Sequence, residues 1–150
     1  MIKRSYIGPG CEISCSVGSS LTIVDSQIGP DCVVQADHGN AEEGAVVELR
    51  GVGLNRGSMI VGRRRIRIGE GTTVAAMTVI RDQDHLMPAA ELRYAVDPID
   101  IGEGVWIGTK ATILRGSIVG DGATIAAHAV VKGEVEPGAV YGGIPASRIR

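Results

Sequence analysis

Branched aliphatic residues recur at every sixth position through the carboxyl-terminal part of the chain. Reading from residue 101, the series is Ile101, Ile107, Ile113, Val119, Ile125 and Val131. Four positions after each member stands a small or β-branched residue, and these are Val105, Ala111, Ser117, Ala123, Ala129 and Val135. The same pattern occurs earlier at Ile7, Ile13, Ile28, Val34, Ile68, Val74 and Ile80. A period of six fits neither a helix nor the alternation of long strands, so it predicts short strands separated by turns.

Short strands at a fixed interval indicate a solenoid whose coils stack at the roughly 4.8 Å spacing of paired strands. Each branched residue then meets its counterpart one coil above and below, and the small residue fills the interior beside it. Glycine and polar residues follow the branched residue in segments such as 101–104 and 119–122, where a sharp corner requires a positive φ. The sequence therefore predicts an all-β fold, with residues 1–150 as one domain.

Composition limits the classes of partner. The 150 residues include 22 glycines, one tryptophan and no phenylalanine, which predicts a narrow aliphatic core. A formal net charge of −2 gives no general attraction to nucleic acid, and no run of about 18 apolar residues offers a membrane span. No signal-peptide pattern follows the first residues, so we expect a cytoplasmic protein. In that compartment Cys11, Cys15 and Cys32 are expected to be reduced, small core residues.

The hexads, together with the stretch VWIGTKATILRGSIVGDGATIAAHAVVKGEVEPGAVYGGIPASRIR from Val105 to Arg150, resemble the hexapeptide-repeat acyltransferases. The resemblance is to the sugar O-acetyltransferase branch, which includes maltose and galactoside acetyltransferases, and it is most specific from Ile101 onward. It implies a single-stranded left-handed parallel β-helix of triangular section with one external loop around residues 84–100. It also implies a homotrimer with active sites between subunits, acetyl-CoA as co-substrate and no metal. The handedness comes from the resemblance alone, because crossovers between parallel strands are usually right-handed.

The segment RDQDH at residues 81–85 ends one run of hexads, and the next run begins at Ile101. In the family that the chain resembles, a histidine at such a break is the general base, and His85 occupies this place. An imidazole can take the proton from an acceptor hydroxyl as that oxygen attacks a thioester carbonyl. The carboxylate of Asp82 or Asp84 could fix the tautomer of His85, and Asp84 is also a candidate substrate ligand. Judged from the residues alone, a solvated loop histidine is an equally good interpretation.

Two further residues are candidates for the acceptor site. Trp106 follows Val105, whose register points inward, so the indole is predicted to point outward. Ile118 and Val130 occupy equivalent hexad positions, which predicts a packed outer face and oligomerisation. The resemblance places the tryptophan of this motif beside the acceptor pocket at a subunit interface. It also suggests an acceptor-site asparagine before the histidine, for which Asn55 is the candidate, the alternative being a corner asparagine in a left-handed conformation.

The resemblance suggests where coenzyme A would bind. Its pantetheine arm would pair with the backbone near Gly108, Thr109 and Ala127, where side chains are small. Its phosphates need cationic partners, and Lys132, Arg148 and Arg150 are the candidates, although solvation alone explains terminal arginines. The acceptor is predicted to be a sugar or a nucleotide-linked sugar. The basic run at residues 62–67, with Arg81, is either a solvated edge or a patch that recruits an acidic acceptor.

Two other histidines and two other functions stay open. His128 is predicted to be a surface turn residue, and His38 to be a buried, hydrogen-bonded histidine or a sign that its coil opens into a cleft. A γ-type carbonic anhydrase would require three histidines converging on zinc, but His38, His85 and His128 have the wrong spacing. The other alternative is a non-catalytic structural solenoid in which His85 has no chemical role.

Overall fold

The hexads fold as short strands, each paired in parallel with the strand one coil away. A computed structural model describes residues 1–38, 43–86 and 94–150. Three parallel sheets form the three sides of a prism. Sheet A contains β1 (Ile2–Lys3), β4 (Ser20–Val24), β7 (Val46–Arg50), β10 (Arg65–Ile68), β15 (Ile99–Ile101), β18 (Ile118–Val119) and β21 (Glu134–Val135).

The other two sides have the same construction. Sheet B contains β2 (Tyr6–Ile7), β5 (Gln27–Ile28), β8 (Gly53–Leu54), β11 (Thr73–Val74), β16 (Trp106–Ile107), β19 (Thr124–Ile125), β22 (Val140–Gly142) and β23 (Ser147–Arg148), the last of which pairs antiparallel. Sheet C contains β3 (Glu12–Cys15), β6 (Val33–Ala36), β9 (Met59–Gly62), β12 (Val79–Arg81), β17 (Thr112–Ile113) and β20 (Val130–Val131). The chain visits A, B and C in turn, so one coil is three hexads. No helix in the described parts of the chain is long and apolar enough to span a membrane.

The core is a single aliphatic column inside the prism. Every member of the two series predicted from Ile101 onward is buried, as are Ile28, Val34, Ile68, Val74 and Ile80. Ile7 and Ile13, in the first coil, are only partly buried. Cys32 is buried, but Cys11 is half-buried and Cys15 is exposed, so the prediction of three core cysteines holds only for Cys32.

The corners use left-handed backbone, as the glycine pattern predicts. At the corner between sheets B and C the left-handed residues include Lys110 and His128, with φ of 58° and 60°. Coils stack closely here. A Cβ on Gly108 would lie 2.5 Å from the backbone nitrogen of Ala127 in the next coil. Glycine at 108 is therefore required by the stacking of the coils themselves.

The predicted external loop lies at the corner between sheets C and A. A hairpin leaves the prism there, formed by β13 (Gln83–His85) and β14 (Tyr94–Val96). The chain rejoins the prism at Ile99, which is fully buried, two residues before the predicted return at Ile101. β15 pairs with β10 in continuous register, Ile66 with Ile99 and Ile68 with Ile101. The prism is thus uninterrupted across the insertion.

Candidate active site

The hairpin presents His85 on the outer surface at the C–A corner, the corner where sheet C passes to sheet A. His85 lies directly opposite Tyr94 in the antiparallel pair, and its side chain is exposed. The two ring centroids are 4.6 Å apart and the planes are tilted by 49°. Within the described ranges, nothing is hydrogen-bonded to either imidazole nitrogen. The imidazole is therefore open to a bound molecule.

Arg63, from the preceding coil, extends this contact. Its Cζ lies 3.8 Å from the centroid of the Tyr94 ring, a cation–π geometry. Tyr94 therefore contacts a guanidinium and an imidazole at the same time. The hexad pattern contained no signal for this arrangement, because Tyr94 belongs to the insertion rather than to a repeat.

Asp82 anchors the base of the hairpin and does not orient His85. It is fully buried, and its carboxylate accepts hydrogen bonds of 2.8 Å from the backbone N–H groups of Arg63, Arg64 and Arg65. Burial raises the pKa of Asp82, and the three N–H groups act in the opposite direction. With both oxygens occupied by the backbone, Asp82 fastens two successive coils together.

Asp84 is also engaged elsewhere. Its carboxylate accepts a hydrogen bond of 2.7 Å from Nε of Arg115, which lies in the following coil. The same guanidinium donates to Asp97, just beyond β14, and the two carboxylates raise the pKa of Arg115. The prediction that Asp82 or Asp84 is bonded to His85 is therefore wrong in this structure. Arg115 instead bridges the two ends of the hairpin.

Replacing Arg115 by glutamine is expected to loosen the hairpin and leave the prism intact. The variant loses both charge-assisted bonds to Asp84 and Asp97. Amide hydrogen exchange within β13 and β14 should become about threefold to tenfold faster, while exchange in sheet B should not change. Arg67→Gln is the matched control, since Arg67 pairs with Glu48 on sheet A. Equal protection of the hairpin in both variants would contradict the bridging role of Arg115.

The predicted coenzyme site lies at a different corner, where sheet B passes to sheet C. Gly108, Thr109 and Ala127 are all at this B–C corner. Gly108 is buried, and its carbonyl already accepts from Ala111 N–H and from the Thr78 hydroxyl. Among the described residues, the N–H groups of Thr109 and Ala127 donate no hydrogen bond. These two groups are therefore available backbone donors, as are the N–H groups of Arg56 and Ala76 in the B–C turns of the two earlier coils.

Asn55 occupies the same B–C corner, two coils before Gly108. Its side chain is exposed. The left-handed residue in this turn is Gly57, with φ of 67°, and not Asn55, so the alternative of a left-handed corner asparagine is wrong. The structure therefore groups Asn55 with Thr109 and Ala127, and it does not bring Asn55 to His85 within one chain.

Trp106 points outward from sheet B, as predicted, and is 51% exposed. The predicted packed face with Ile118 and Val130 is wrong, because Ile118 lies on sheet A and Val130 on sheet C. Each six-residue step moves the chain to the next side of the triangle. The neighbours of Trp106 on its own side are Thr73 and Thr124.

The three cations predicted for the phosphates are not together. Lys132 lies at the C–A corner, between β20 and β21. Arg148 is on β23 at the end of sheet B, where it is paired with Glu136, and Arg150 follows it. Lys110 was not predicted, but it is exposed at the B–C corner beside Thr109. Lys110 could have been predicted as a candidate cation from the sequence, because it belongs to the same turn as Gly108.

The remaining histidines lie apart from His85. His128 is exposed at the B–C corner with φ of 60°, which agrees with the predicted surface turn. His38 is half-buried, and its Nε2 lies 2.9 Å from the carbonyl oxygen of Val17, so it is hydrogen-bonded as predicted but less buried. The three histidines required by the carbonic anhydrase alternative are not brought together within the chain.

Comparison with known proteins agrees with this architecture. Residues 98–133 match the family described as bacterial transferase hexapeptide (six repeats). A probable acetyltransferase of Mycobacterium tuberculosis is 28% identical over 152 residues, which cover 97% of this chain and 49% of that protein. The chain therefore spans about half the length of that relative.

Two solved structures share the fold. A maltose O-acetyltransferase from Clostridium difficile superposes with a TM-score of 0.59 at 21% identity, covering 97% of this chain and 68% of that one. A galactoside acetyltransferase in complex with coenzyme A gives a TM-score of 0.58 at 22% identity, covering 94% and 64%. The predicted left-handed parallel β-helix is confirmed. The predicted resemblance to hexapeptide-repeat acyltransferases is confirmed in the fold and, over residues 98–133, in the repeats themselves.

Proposed function

We propose that the protein is an acetyl-CoA-dependent O-acetyltransferase in which His85 is the general base. The observation that carries this proposal is the insertion at the C–A corner, where a hairpin leaves a regular, continuous prism and presents an exposed imidazole. Acetyltransferases among the relatives and structural neighbours support the reaction class.

The chemistry assigned to the chain's own residues is proton transfer. Acetyl-CoA supplies an activated acetyl thioester. An unprotonated nitrogen of His85 takes the proton from the acceptor hydroxyl as that oxygen attacks the acetyl carbonyl, and the proton then leaves with the thiol. The free N–H groups of Thr109 and Ala127 fit the amide carbonyls of a pantetheine arm. Lys110 is the cation at the same corner, and it replaces Lys132, Arg148 and Arg150 as the candidate phosphate partner.

The separation of the two corners supports a homotrimer. His85 is at the C–A corner, while Thr109 and Ala127 are at the B–C corner, and the whole width of sheet C lies between them. In a trimer, the C–A corner of one subunit can meet the B–C corner of the next. An active site between subunits would therefore bring His85 of one subunit close to Thr109 and Ala127 of the next.

Sheet C has the outer surface that such an assembly requires. Its outward row in register runs through Glu12, Val33, Met59, Val79, Thr112 and Val130, four of which are apolar. Sheet A, by contrast, presents charged residues on its outer side, with Glu48, Arg67, Asp100 and Glu134 flanking Ile118. Burial of aliphatic side chains is the main source of stable association, so sheet C is the proposed subunit interface.

Replacing Val79 by glutamate is expected to separate the subunits. The carboxylate would lie between Met59 and Thr112 on the outer side of sheet C and would need to be desolvated in the assembly. Sedimentation velocity should show monomers, and the transferase rate should be lost with them. Ile118→Glu is the matched control on sheet A, and it should remain trimeric. If Ile118→Glu were monomeric and Val79→Glu trimeric, the subunit interface would lie on sheet A and not on sheet C.

A sugar or a nucleotide-linked sugar is the proposed acceptor. The maltose and galactoside acetyltransferases among the structural neighbours support it. Asn55 and Trp106 would contact the acceptor across the subunit interface, because both are exposed near the B–C corner. Asp84, predicted to be a substrate ligand, is bound by Arg115, so it would influence the acceptor only by positioning the guanidinium of Arg115. We place the reaction in the cytoplasm, where acetyl-CoA and reduced thiols occur together.

The test is release of free thiol from acetyl-CoA in the presence of a panel of sugars and nucleotide sugars. Acetyl transfer to at least one hydroxyl acceptor, identified by mass spectrometry, is the expected result. A protein that neither binds coenzyme A in calorimetry nor releases thiol would contradict the proposal and favour the structural solenoid.

A further inference from the structure

Three arginines at the C–A corner have no carboxylate partner in the part of the chain that the structure describes. Arg63 and Arg64 connect β9 to β10, and Arg81 ends β12 one coil later, in register with Val61. Among the described residues, no carboxylate lies within ion-pair distance of these three guanidinium groups. Of the other described arginines, all but Arg150 have such partners, namely Arg4, Arg50, Arg56, Arg65, Arg67, Arg115 and Arg148.

Four carboxylates around the C–A corner are already engaged. Asp84 and Asp97 are bound by Arg115, and Asp100 accepts from Arg65 at 2.5 Å. Asp82 is buried and accepts three backbone N–H groups. The positive charge of Arg63, Arg64 and Arg81 is therefore not neutralised by these carboxylates.

Two of these arginines also hold donors out of contact with water. The Nε atoms of Arg63 and Arg81, like that of the paired Arg65, are inaccessible to solvent and have no hydrogen-bond acceptor among the described residues. A buried N–H without an acceptor is costly, and for a charged group the cost is higher. Because these Nε atoms are closed to water, they are equally closed to a ligand oxygen, and the donors open to a bound molecule are the terminal N–H groups of the same guanidinium groups.

These donors adjoin the proposed base. The guanidinium of Arg63 contacts the Tyr94 ring, and the same ring contacts the imidazole of His85. Arg81 lies four residues before His85 and leads directly into the hairpin. A molecule that reaches His85 therefore passes beside a surface of arginine side chains.

We infer that Arg63, Arg64 and Arg81 form a binding site for an oxyanion group, a carboxylate or a phosphate, carried by the acceptor. Planar guanidinium groups match such oxyanions and bind them through paired N–H donors. The inference rests on the proposed acetyl transfer and narrows its acceptor class to acidic sugars and sugar phosphates. The anion is held away from the hydroxyl that reacts at His85, so the site selects the acceptor and orients it.

The experiment compares matched acceptors with and without an anionic group. Glucose, glucuronate and glucose 6-phosphate are titrated into the intact protein by calorimetry and assayed for acetyl transfer. Binding and transfer should favour one or both anionic sugars by tenfold or more over glucose. A preference for glucuronate identifies a carboxylate site, and a preference for glucose 6-phosphate identifies a phosphate site.

Variants then locate the site. Arg81→Gln and Arg64→Gln should each raise KM for the anionic sugar about tenfold and change kcat/KM for glucose by less than twofold. Arg67→Gln, a paired arginine on sheet A, should leave both unchanged. Equal effects of Arg81→Gln on neutral and anionic acceptors would overturn the inference, as would transfer to glucose without any binding of the anionic sugars. Binding of an anionic sugar that Arg81→Gln abolishes, without transfer to any acceptor, would uphold the site and refute the proposed reaction.

Discussion

His85→Ala is expected to lower the rate of acetyl transfer by about 10²-fold to 10⁴-fold while leaving the fold and coenzyme A binding unchanged. This is the range that removal of a general base produces. The side chain is exposed at the end of β13, where it contacts the Tyr94 ring outside the prism, so its loss creates no cavity in the prism. Thiol release and calorimetry with coenzyme A measure the two quantities separately.

His128→Ala is the matched control. His128 is the other exposed histidine at a corner, and within one chain it lies at the B–C corner rather than at the corner that carries the hairpin. It is expected to retain the parent rate to within a few-fold. A loss of activity in His128→Ala with a normal rate in His85→Ala would show that the general base lies at the B–C corner. A normal rate in both variants would remove imidazole from the mechanism.

Asp82→Asn is expected to destabilise the protein by about 2–4 kcal/mol, the largest stability effect we expect from a single polar substitution here. The buried carboxylate accepts hydrogen bonds from three backbone N–H groups of the preceding coil, and an amide offers one oxygen and two donors in the same space. At least one N–H of Arg63, Arg64 or Arg65 is then left without an acceptor. Urea denaturation followed by circular dichroism measures the change.

Asp25→Asn is the control for this substitution. Asp25 is an exposed corner residue with φ of 51°, a conformation that asparagine adopts readily, and its carboxylate pairs with Arg4 in solvent. Its denaturation midpoint should match that of the parent. If Asp82→Asn were as stable as Asp25→Asn, the buried carboxylate would not be fastening the coils together.

The sequence predicted the interior well because the interior repeats. Each buried position from Ile101 to Val135 requires the same kind of side chain as its neighbour one coil away, so the same residue types recur at regular intervals in the sequence. Ile99 escaped prediction because it precedes the Ile-Gly signal by two residues and follows Pro98. The outer face was misjudged for a geometrical reason: three hexads, and not one, return the chain to the same side. Residues 18 apart, such as Trp106 and Thr124, are the true neighbours.

The surroundings of His85 could not be predicted in the same way. Arg115 reaches Asp84 across 31 positions, and Arg63 reaches Tyr94 from the preceding coil. These contacts join the insertion to the repeats above and below it, and no periodicity describes them. Part of the insertion, residues 87–93, lies outside the described residues. The position of the histidine was predictable as a break in the pattern, but its partners depend on how the hairpin folds back onto the prism.

Because the pairing of β10 with β15 is uninterrupted, the prism and the insertion can evolve independently of each other. The coils pair below the hairpin in the register they would have without it. Evolution can therefore lengthen, shorten or exchange the hairpin without changing the packing of the core. Selection on substrate choice and selection on folding then act on different residues. An engineer can exploit the same division by grafting a foreign hairpin between Asp82 and Asp97, whose backbone hydrogen bond closes the insertion at its base.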